Sequence, residues 1–183
     1  TDSILQATVD CHSDLIIMGT QGEAALLSNM FGSQTAEIIT KTDVPVMAVP
    51  QLGEWVLPKN ILLAVNDFTK PPGIINPVFE LAVLFNTHIH AVTFTDEDSA
   101  EAVDYLNHKR GLSVYEEKLR MHYNYTGITA VHLSGNRFEG AIEKYIFEKD
   151  IDIMSMISHK RSLLESIFNP SLTKKMSYHT RIP

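Results

Sequence analysis

The chain has 183 residues, a length between those of one and two domains, and its 44% hydrophobic and 20% charged residues are typical of a globular protein with a buried core. The formal net charge of −7 argues against general binding to nucleic acid or to an anionic membrane, because both require a basic surface. A single cysteine, Cys11, excludes an internal disulfide and favours a reducing compartment. Because the sequence also lacks a signal-peptide pattern and an apolar run of about 20 residues, we expect a cytoplasmic protein.

The first fifty residues predict two helices and two strands in alternation. Apolar spacing indicates a helix over 2–11, with Ser3 as a candidate N-cap, and the apolar run over 14–18 indicates a buried parallel strand. A glycine-bearing loop follows this strand. After the loop, we expect a helix over 34–42 and a strand over 45–50 that begins and ends with proline.

A second alternating series begins after a predicted linker over 51–58, which contains Gly53 and Pro58. We expect the longest helix of the series to be interrupted near Gly111. In chain order the predicted elements are a strand over 61–66, a helix over 76–85, a strand over 88–93, a helix over 99–123, a strand over 128–133, a helix over 138–149, a strand over 152–157 and a helix over 171–180. Such alternation predicts a parallel sheet with helices on both faces.

The two ends of the chain carry the same sequence pattern and align without a gap. The aligned pairs include Asp14 with Asp152, Thr35 with Thr173, and Pro45 with Pro183. The simplest explanation is two copies of one domain. Residues 1–50 would be the first copy from its third helix onward, and residues 59–183 would be the second copy up to the position before its last strand.

A glycine-rich loop follows the first predicted strand. The predicted strand ends at Met18, Gly19 follows it, Gly22 lies in the loop, and Gly32 and Ser33 precede the next helix. Glycine lets a ligand approach the backbone closely, and loop amides together with the positive end of a helix favour an anion. The loop is not a P-loop, which would have a lysine after its last glycine. By themselves, these residues fit either a phosphate-binding loop or a glycine-rich loop without a ligand.

The same segment resembles the C-terminal signature of universal stress proteins. The resemblance rests on residues 14–22, on Gly32 and Ser33, and on residues 43–50, which together match the pattern G-x2-G-x9-G-[ST] of the nucleotide-binding members at every fixed position. It implies an α/β fold that is Rossmann-like, or adenine nucleotide α hydrolase-like. The implied fold is an open parallel sheet of five strands in the order 3-2-1-4-5, with helices on both faces and a tandem repeat. Ligands of such sheets lie beyond the carboxyl ends of strands one and four.

The resemblance also implies a ligand and the residues that hold it. The ligand would be ATP or a related adenine nucleotide, with or without Mg²⁺, and an empty site is the alternative. Asp67 follows the strand over 61–66 and corresponds to the family's aspartate near the base. The implied binding residues are Gly19, Thr20, Gln21, Gly22, Gly32, Ser33, Gln34 and Asp67. Neither a catalytic residue nor a protein-held metal ion is expected.

The second copy departs from the glycine pattern. The positions of the three glycines are occupied by Ile157, Lys160 and Pro170, and only the final serine is kept, as Ser171. A β-branched residue and a proline cannot supply the same backbone geometry, so we expect this amide cradle to be lost. The basic residues of the loop over 158–161 would either attract an anion by charge or form a solvated basic loop.

Two further groups of polar residues have simpler explanations. His88 and His90 lie two positions apart on a predicted strand and therefore on one face, but two histidines without a third ligand do not make a zinc site. The residues Glu116, Glu117, Lys118 and Arg120 are expected to form a solvated helix face.

Three functional hypotheses follow from these observations. The first is a stress-response regulator that binds a nucleotide through its first copy. The second is a scaffold that binds no nucleotide and associates through its last strands, either as a homodimer or as an intramolecular pseudo-dimer. The third is an enzyme that hydrolyses ATP slowly, and it ranks last because no paired carboxylates or metal motif appear. Neither nucleic acid nor membrane is an expected partner.

Overall fold

The computed structural model describes residues 1–19, 33–50, 56–65, 72–97, 102–156 and 182–183. These residues form parallel sheets covered by helices, which confirms the predicted α/β class. They belong to two compact units, and the chain passes from the first to the second between residues 55 and 56. The predicted assignment of residues 1–50 and 59–183 to two copies of one domain, joined by a linker over 51–58, stays a prediction. Among the described helices, none is both long and apolar enough to cross a membrane.

The described part of the first unit contains two helices and two paired strands. In chain order they are α1 (Asp2–Asp10), β1 (Ile16–Gly19), α2 (Ser33–Lys41) and β2 (Val46–Val49). The two strands are parallel, with Ile16 opposite Val46 and Gly19 opposite Val49. Ile38 of α2 is fully buried and Ile16 nearly so. Ile17, on the other face of β1, is 64% exposed, so the strand is buried on one face and not on both as we expected.

A polar contact joins the start of α1 to the middle of α2. Thr1, not Ser3, occupies the N-cap position of α1, and its hydroxyl does not cap the helix. Instead Thr1 Oγ1 donates a hydrogen bond of 2.7 Å to Glu37 Oε2 of α2. Lys41 Nζ lies 2.6 Å from the other oxygen of the same carboxylate, one helical turn later. The Lys41 ammonium and the Thr1 hydroxyl hold the pKa of Glu37 below its ordinary value.

The described residues of the second unit form a four-stranded sheet with helices between its strands. Its elements are β3 (Asn60–Ala64), a 3₁₀ turn (Pro72–Ile75), α3 (Asn76–Phe85), β4 (His88–Asp96), α4 (Ala102–Tyr123), β5 (Ile128–Gly135), α5 (Phe138–Glu148) and β6 (Ile153–Met156). All strands are parallel and lie in the order β5-β4-β3-β6. This is third, second, first and fourth along the unit, the order that we expected for these four strands. A fifth strand and the tandem repeat stay predictions.

The core of this unit lies on both faces of β3. Ile61, Leu62 and Leu63 are each at most 1% exposed, as a central parallel strand requires. Helices on the sheet supply Phe79, Leu119 and Ile142, which are also buried; the ring of Phe79 stacks on that of Tyr123 with 3.6 Å between centroids. Each fully buried side chain of this size contributes about 1.5–3 kcal/mol relative to its exposed state.

Helix α4 is continuous over 22 residues, so the predicted interruption near Gly111 was wrong. A glycine within a helix costs only about 0.5–1 kcal/mol relative to alanine. Leu112, Tyr115 and Leu119 follow the glycine at helical spacing and are all buried against the rest of the unit. Their burial outweighs the cost of the glycine, and the helix therefore continues to Tyr123.

Candidate functional site

The predicted loop of the first unit joins two elements whose ends are held together. Thr35, in the first turn of α2, donates a hydrogen bond of 3.1 Å from its hydroxyl to the carbonyl oxygen of Gly19 at the end of β1. The Thr35 side chain is buried, with 2% of its surface exposed. This contact places the amino end of α2 beside the carboxyl end of β1.

The surroundings of this junction favour an anion. The first turn of α2 contains no acidic residue, so no carboxylate of its own offsets the positive end of the helix. Gly19 is exposed, and a side chain added there would meet no atom within 4 Å. Gly19 has the extended conformation of a strand. Its contribution is therefore open space above the backbone.

Three of the predicted binding residues are described by the structure. Gly19 ends β1, Ser33 begins α2, and Gln34 is exposed in the first turn of that helix. The other five lie outside the described residues: Thr20, Gln21, Gly22, Gly32 and Asp67. The basic loop over 158–161 lies outside them as well.

Sequence reasoning did not include Thr35 among the site residues. The residue was visible only as an aligned position of the repeat, opposite Thr173. A threonine at the start of a helix is usually interpreted as part of a cap, and nothing in the local pattern predicts a bond to a strand 16 residues earlier. The bond from Thr35 to Gly19 holds the first turn of α2 beside the end of β1, and so keeps the two ends of the loop together.

The two histidines of β4 lie on one face, as predicted, at the amino ends of the strands. Their rings are 4.9 Å apart. His88 Nε2 lies 2.8 Å from Thr129 Oγ1, and His90 Nδ1 lies 2.9 Å from the hydroxyl of Tyr145. Asn60 Oδ1, at the start of β3, lies 3.4 Å from His90 Nε2. Among the described residues, no three His, Cys, Asp or Glu side chains are grouped as a metal site.

The surroundings of both imidazoles disfavour the charged form. Burial, followed by the nearby His88 and Lys149, lowers the pKa of His90 from 6.5 to about 4. Burial also lowers the pKa of His88, and the guanidinium of Arg120 adds to this effect. Their ring nitrogens bond to protein groups on β3, β5 and α5, so these histidines hold the amino edge of the sheet together.

Two charged residues of α4 bond to the backbone of the edge strand β5. The amide of Ala130 donates to Glu116 Oε2 at 2.7 Å, and Arg120 Nη2 donates to the carbonyl oxygen of Ile128 at 2.7 Å. The two side chains also form an ion pair of 2.8 Å. The expectation of a solvated face was therefore wrong for Glu116, which is half-buried, while Glu117, Lys118 and Arg120 are exposed as predicted.

We expect Glu116→Ala to lower the free energy of unfolding by about 1–3 kcal/mol, because the Ala130 amide loses its acceptor and Arg120 its counter-ion. Glu116→Gln keeps an oxygen acceptor at the same place and should cost about half as much. Urea unfolding followed by circular dichroism measures both values. Equal stability of Glu116→Ala and the parent protein would show that water replaces the carboxylate at no cost.

Comparisons with known proteins agree with the fold and with the first unit's sequence. Residues 1–50 match the model of the universal stress protein family. A universal stress protein of Thermus aquaticus, described as lying in the QAH/OAS sulfhydrylase 3′ region, is 40% identical over 48 residues, which are 26% of this chain and 35% of that protein. The chain thus spans about a third of this curated relative.

Two solved structures share the fold over nearly the whole chain. A universal stress protein from Archaeoglobus fulgidus DSM 4304 has a TM-score of 0.66 at 20% identity. The superposition covers 99% of this chain and 62% of the Archaeoglobus chain. A Pseudomonas aeruginosa UCBPP-PA14 protein assigned to the same family has a TM-score of 0.65 at 13% identity, with 98% of this chain and 64% of that one covered. Residues 1–50 are therefore similar in sequence to universal stress proteins, and the chain shares the fold of these two solved structures.

Proposed function

We propose that the chain is part of a cytoplasmic stress-response regulator that binds ATP or a related adenine nucleotide, with or without Mg²⁺, at the junction of β1 and α2. The observation that carries the proposal is the hydrogen bond from Thr35 to Gly19, which holds the amino end of α2 at the carboxyl end of β1. Parallel sheets bind ligands at this edge, and helix amino ends bind phosphate there.

The proposed role of each residue in the nucleotide site follows from its chemistry. The amides of the loop that begins after Gly19 would receive the phosphate oxygens, and the open space above Gly19 would let them approach. Ser33 and Gln34 would add polar side chains at the helix start. Because the second copy has lost its glycines at Ile157, Lys160 and Pro170, we expect one nucleotide site and not two. Asp67 belongs to the second copy, so it would contact a base only if that copy also bound a nucleotide.

A scaffold without a nucleotide is the second candidate, and the edge of β2 favours it. Among the described strands, β2 pairs with β1 alone, and all four of its residues are half-buried. Such an edge can accept another strand, either from a second molecule or from elsewhere in the same one. This candidate predicts association that does not depend on the glycine loop.

The test is nucleotide binding by the full-length protein and its loop variants. We expect the purified protein to contain an adenine nucleotide that mass spectrometry identifies, and to be stabilised against heat by millimolar ATP. Gly22→Val and Gly32→Val should weaken ATP binding at least tenfold, which corresponds to about 1.4 kcal/mol, because a side chain would occupy the space of the phosphates. Thr35→Val should weaken it by a smaller factor, while Thr35→Ser keeps the hydroxyl and the affinity.

Gly140→Val is the matched control, since Gly140 is exposed in α5 and a side chain there meets no atom within 4 Å. It should bind ATP as the parent protein does. If the parent protein contains no nucleotide and shows no thermal shift with ATP, nucleotide binding is excluded and the scaffold remains. Phosphate release well above the buffer background would instead support slow hydrolysis.

A further inference from the structure

Helix α4 has an outer face that the second unit does not cover. Leu112, Tyr115 and Leu119 are buried on its inner side. On the outer side, Val114 is 69% exposed and Met121 is 77% exposed. Glu117 and Lys118 lie between them on the same face, at the spacing of three, four and seven positions that brings helix residues together. These four residues, which we call the α4 stripe, line a shallow depression together with His122.

The α4 stripe has a twofold pattern. Along the helix the stripe reads valine, glutamate, lysine, methionine. When it is read in the opposite direction, each apolar residue corresponds to the other apolar residue, and each charged residue corresponds to one of opposite charge. A twofold axis across the helix between Glu117 and Lys118 would therefore place apolar side chains against apolar ones. It would also place each carboxylate against an ammonium. A surface that matches its own copy in this way is what an isologous contact requires.

We propose that the α4 stripe is a contact between two copies of this chain, packed as antiparallel helices. Val114 then contacts Met121 of the partner subunit, and Glu117 pairs with Lys118 of the partner subunit, each contact occurring twice. A second copy brings one negative and one positive charge to the contact and therefore pairs with both Glu117 and Lys118. A strongly acidic partner would repel Glu117, and a strongly basic partner would repel Lys118. The contact is separate from the edge of β2, which belongs to the first unit.

The contact is expected to be weak. Stable complexes bury about 800 Å² on each partner, and a stripe of two helical turns covers less than this. The dimer should therefore form in a concentration-dependent manner, at concentrations from micromolar to millimolar. Its specificity depends on the central charge pairs, because exposed ion pairs add little affinity but like charges in contact oppose association.

Charge reversal tests the contact without disturbing the fold, because both residues are exposed. Sedimentation velocity over a wide concentration range gives the dissociation constant of the dimer. Lys118→Glu and Glu117→Lys should each raise it at least tenfold, since each puts two pairs of like charges together. The double variant E117K/K118E restores the opposite charges and should return to within about threefold of the parent protein.

Lys144→Glu is the matched control: Lys144 is an exposed residue of α5, with 74% of its side chain exposed, and undergoes the same charge change. It should leave the dissociation constant unchanged. A protein that stays monomeric up to millimolar concentration overturns the proposal and leaves the stripe for another partner. A dimer that persists in both single variants, or a double variant that is not restored, overturns it too and assigns association to another surface.

Discussion

Leu62→Ala is expected to lower the free energy of unfolding by about 2–5 kcal/mol, the largest effect of a single truncation that we foresee in this chain. Leu62 is fully buried in the central strand β3, between His90 of β4 and Met154 of β6. Removal of its side chain loses the transfer energy of three carbon atoms and leaves a cavity that strands fixed on both sides cannot close. Since whole domains are stable by about 5–15 kcal/mol, this loss is a large fraction of the total.

Urea unfolding followed by circular dichroism measures the change. Leu84→Ala is the matched control, because it removes the same atoms from a side chain of α3 that is 72% exposed. The control should lie within about 0.5 kcal/mol of the parent protein. Similar values for the two variants would contradict the placement of Leu62 in the core of the sheet.

The stability of the protein is expected to fall as the pH is lowered from about 6.5 to about 4, partly through His90. Its pKa is about 4 in the folded protein and 6.5 in an unfolded chain, so the unfolded state binds a proton first as the pH falls. The contribution of His90 is therefore fully present above pH 6.5 and is lost as the pH approaches 4. Because the side chain is only half-buried, we expect about 1–3 kcal/mol and not the full value of the shift.

The groups that face His90 either bond to its ring or oppose a positive charge on it. Asn60 and Tyr145 bond to its two nitrogens, while His88 and Lys149 oppose a positive charge on the ring. The pKa of His88 is lowered as well, so it contributes in the same direction. Glu116 acts against this trend at His88, because a carboxylate favours the charged imidazole.

Unfolding free energies at pH 7 and pH 5 measure the effect against a variant. His90→Gln removes the titrating group, and its stability should change less between the two pH values than that of the parent protein. His12→Asn is the control, since His12 is exposed and has a positive φ of 51°, which asparagine tolerates. If His90→Gln and His12→Asn show the same pH dependence as the parent protein, His90 is not the group responsible.

The regular elements could be predicted because their signals are local. The apolar run around Ile61 indicates a buried strand whatever its neighbours are, and α3 has the predicted bounds, with Pro77 in its first turn and Asn86 as its C-cap. Asn86 ends the helix in the left-handed region, with φ of 53°. The order of the four strands followed from the family resemblance, not from these local signals.

The contacts between elements could not be predicted in the same way. Glu116 has the pattern of a solvated helix residue, yet it accepts a hydrogen bond from a strand 14 positions away. Thr1 and Ser3 have similar hydroxyl groups, so the sequence did not distinguish which one precedes the helix. For the candidate site, the glycine pattern indicated where a ligand would bind, but the bond from Thr35 to Gly19 depends on how the helix returns to the strand.

The bonds from α4 to β5 also determine what kind of assembly this sheet can form. Molecules that join end to end through their strands need two free edges on each sheet, because one edge pairs with the preceding molecule and the other with the next. Glu116 and Arg120 occupy the backbone groups of Ala130 and Ile128 on one of these edges. Another strand could pair with β5 only by displacing both side chains, so the described sheet of the second unit resists the addition of a strand on this side.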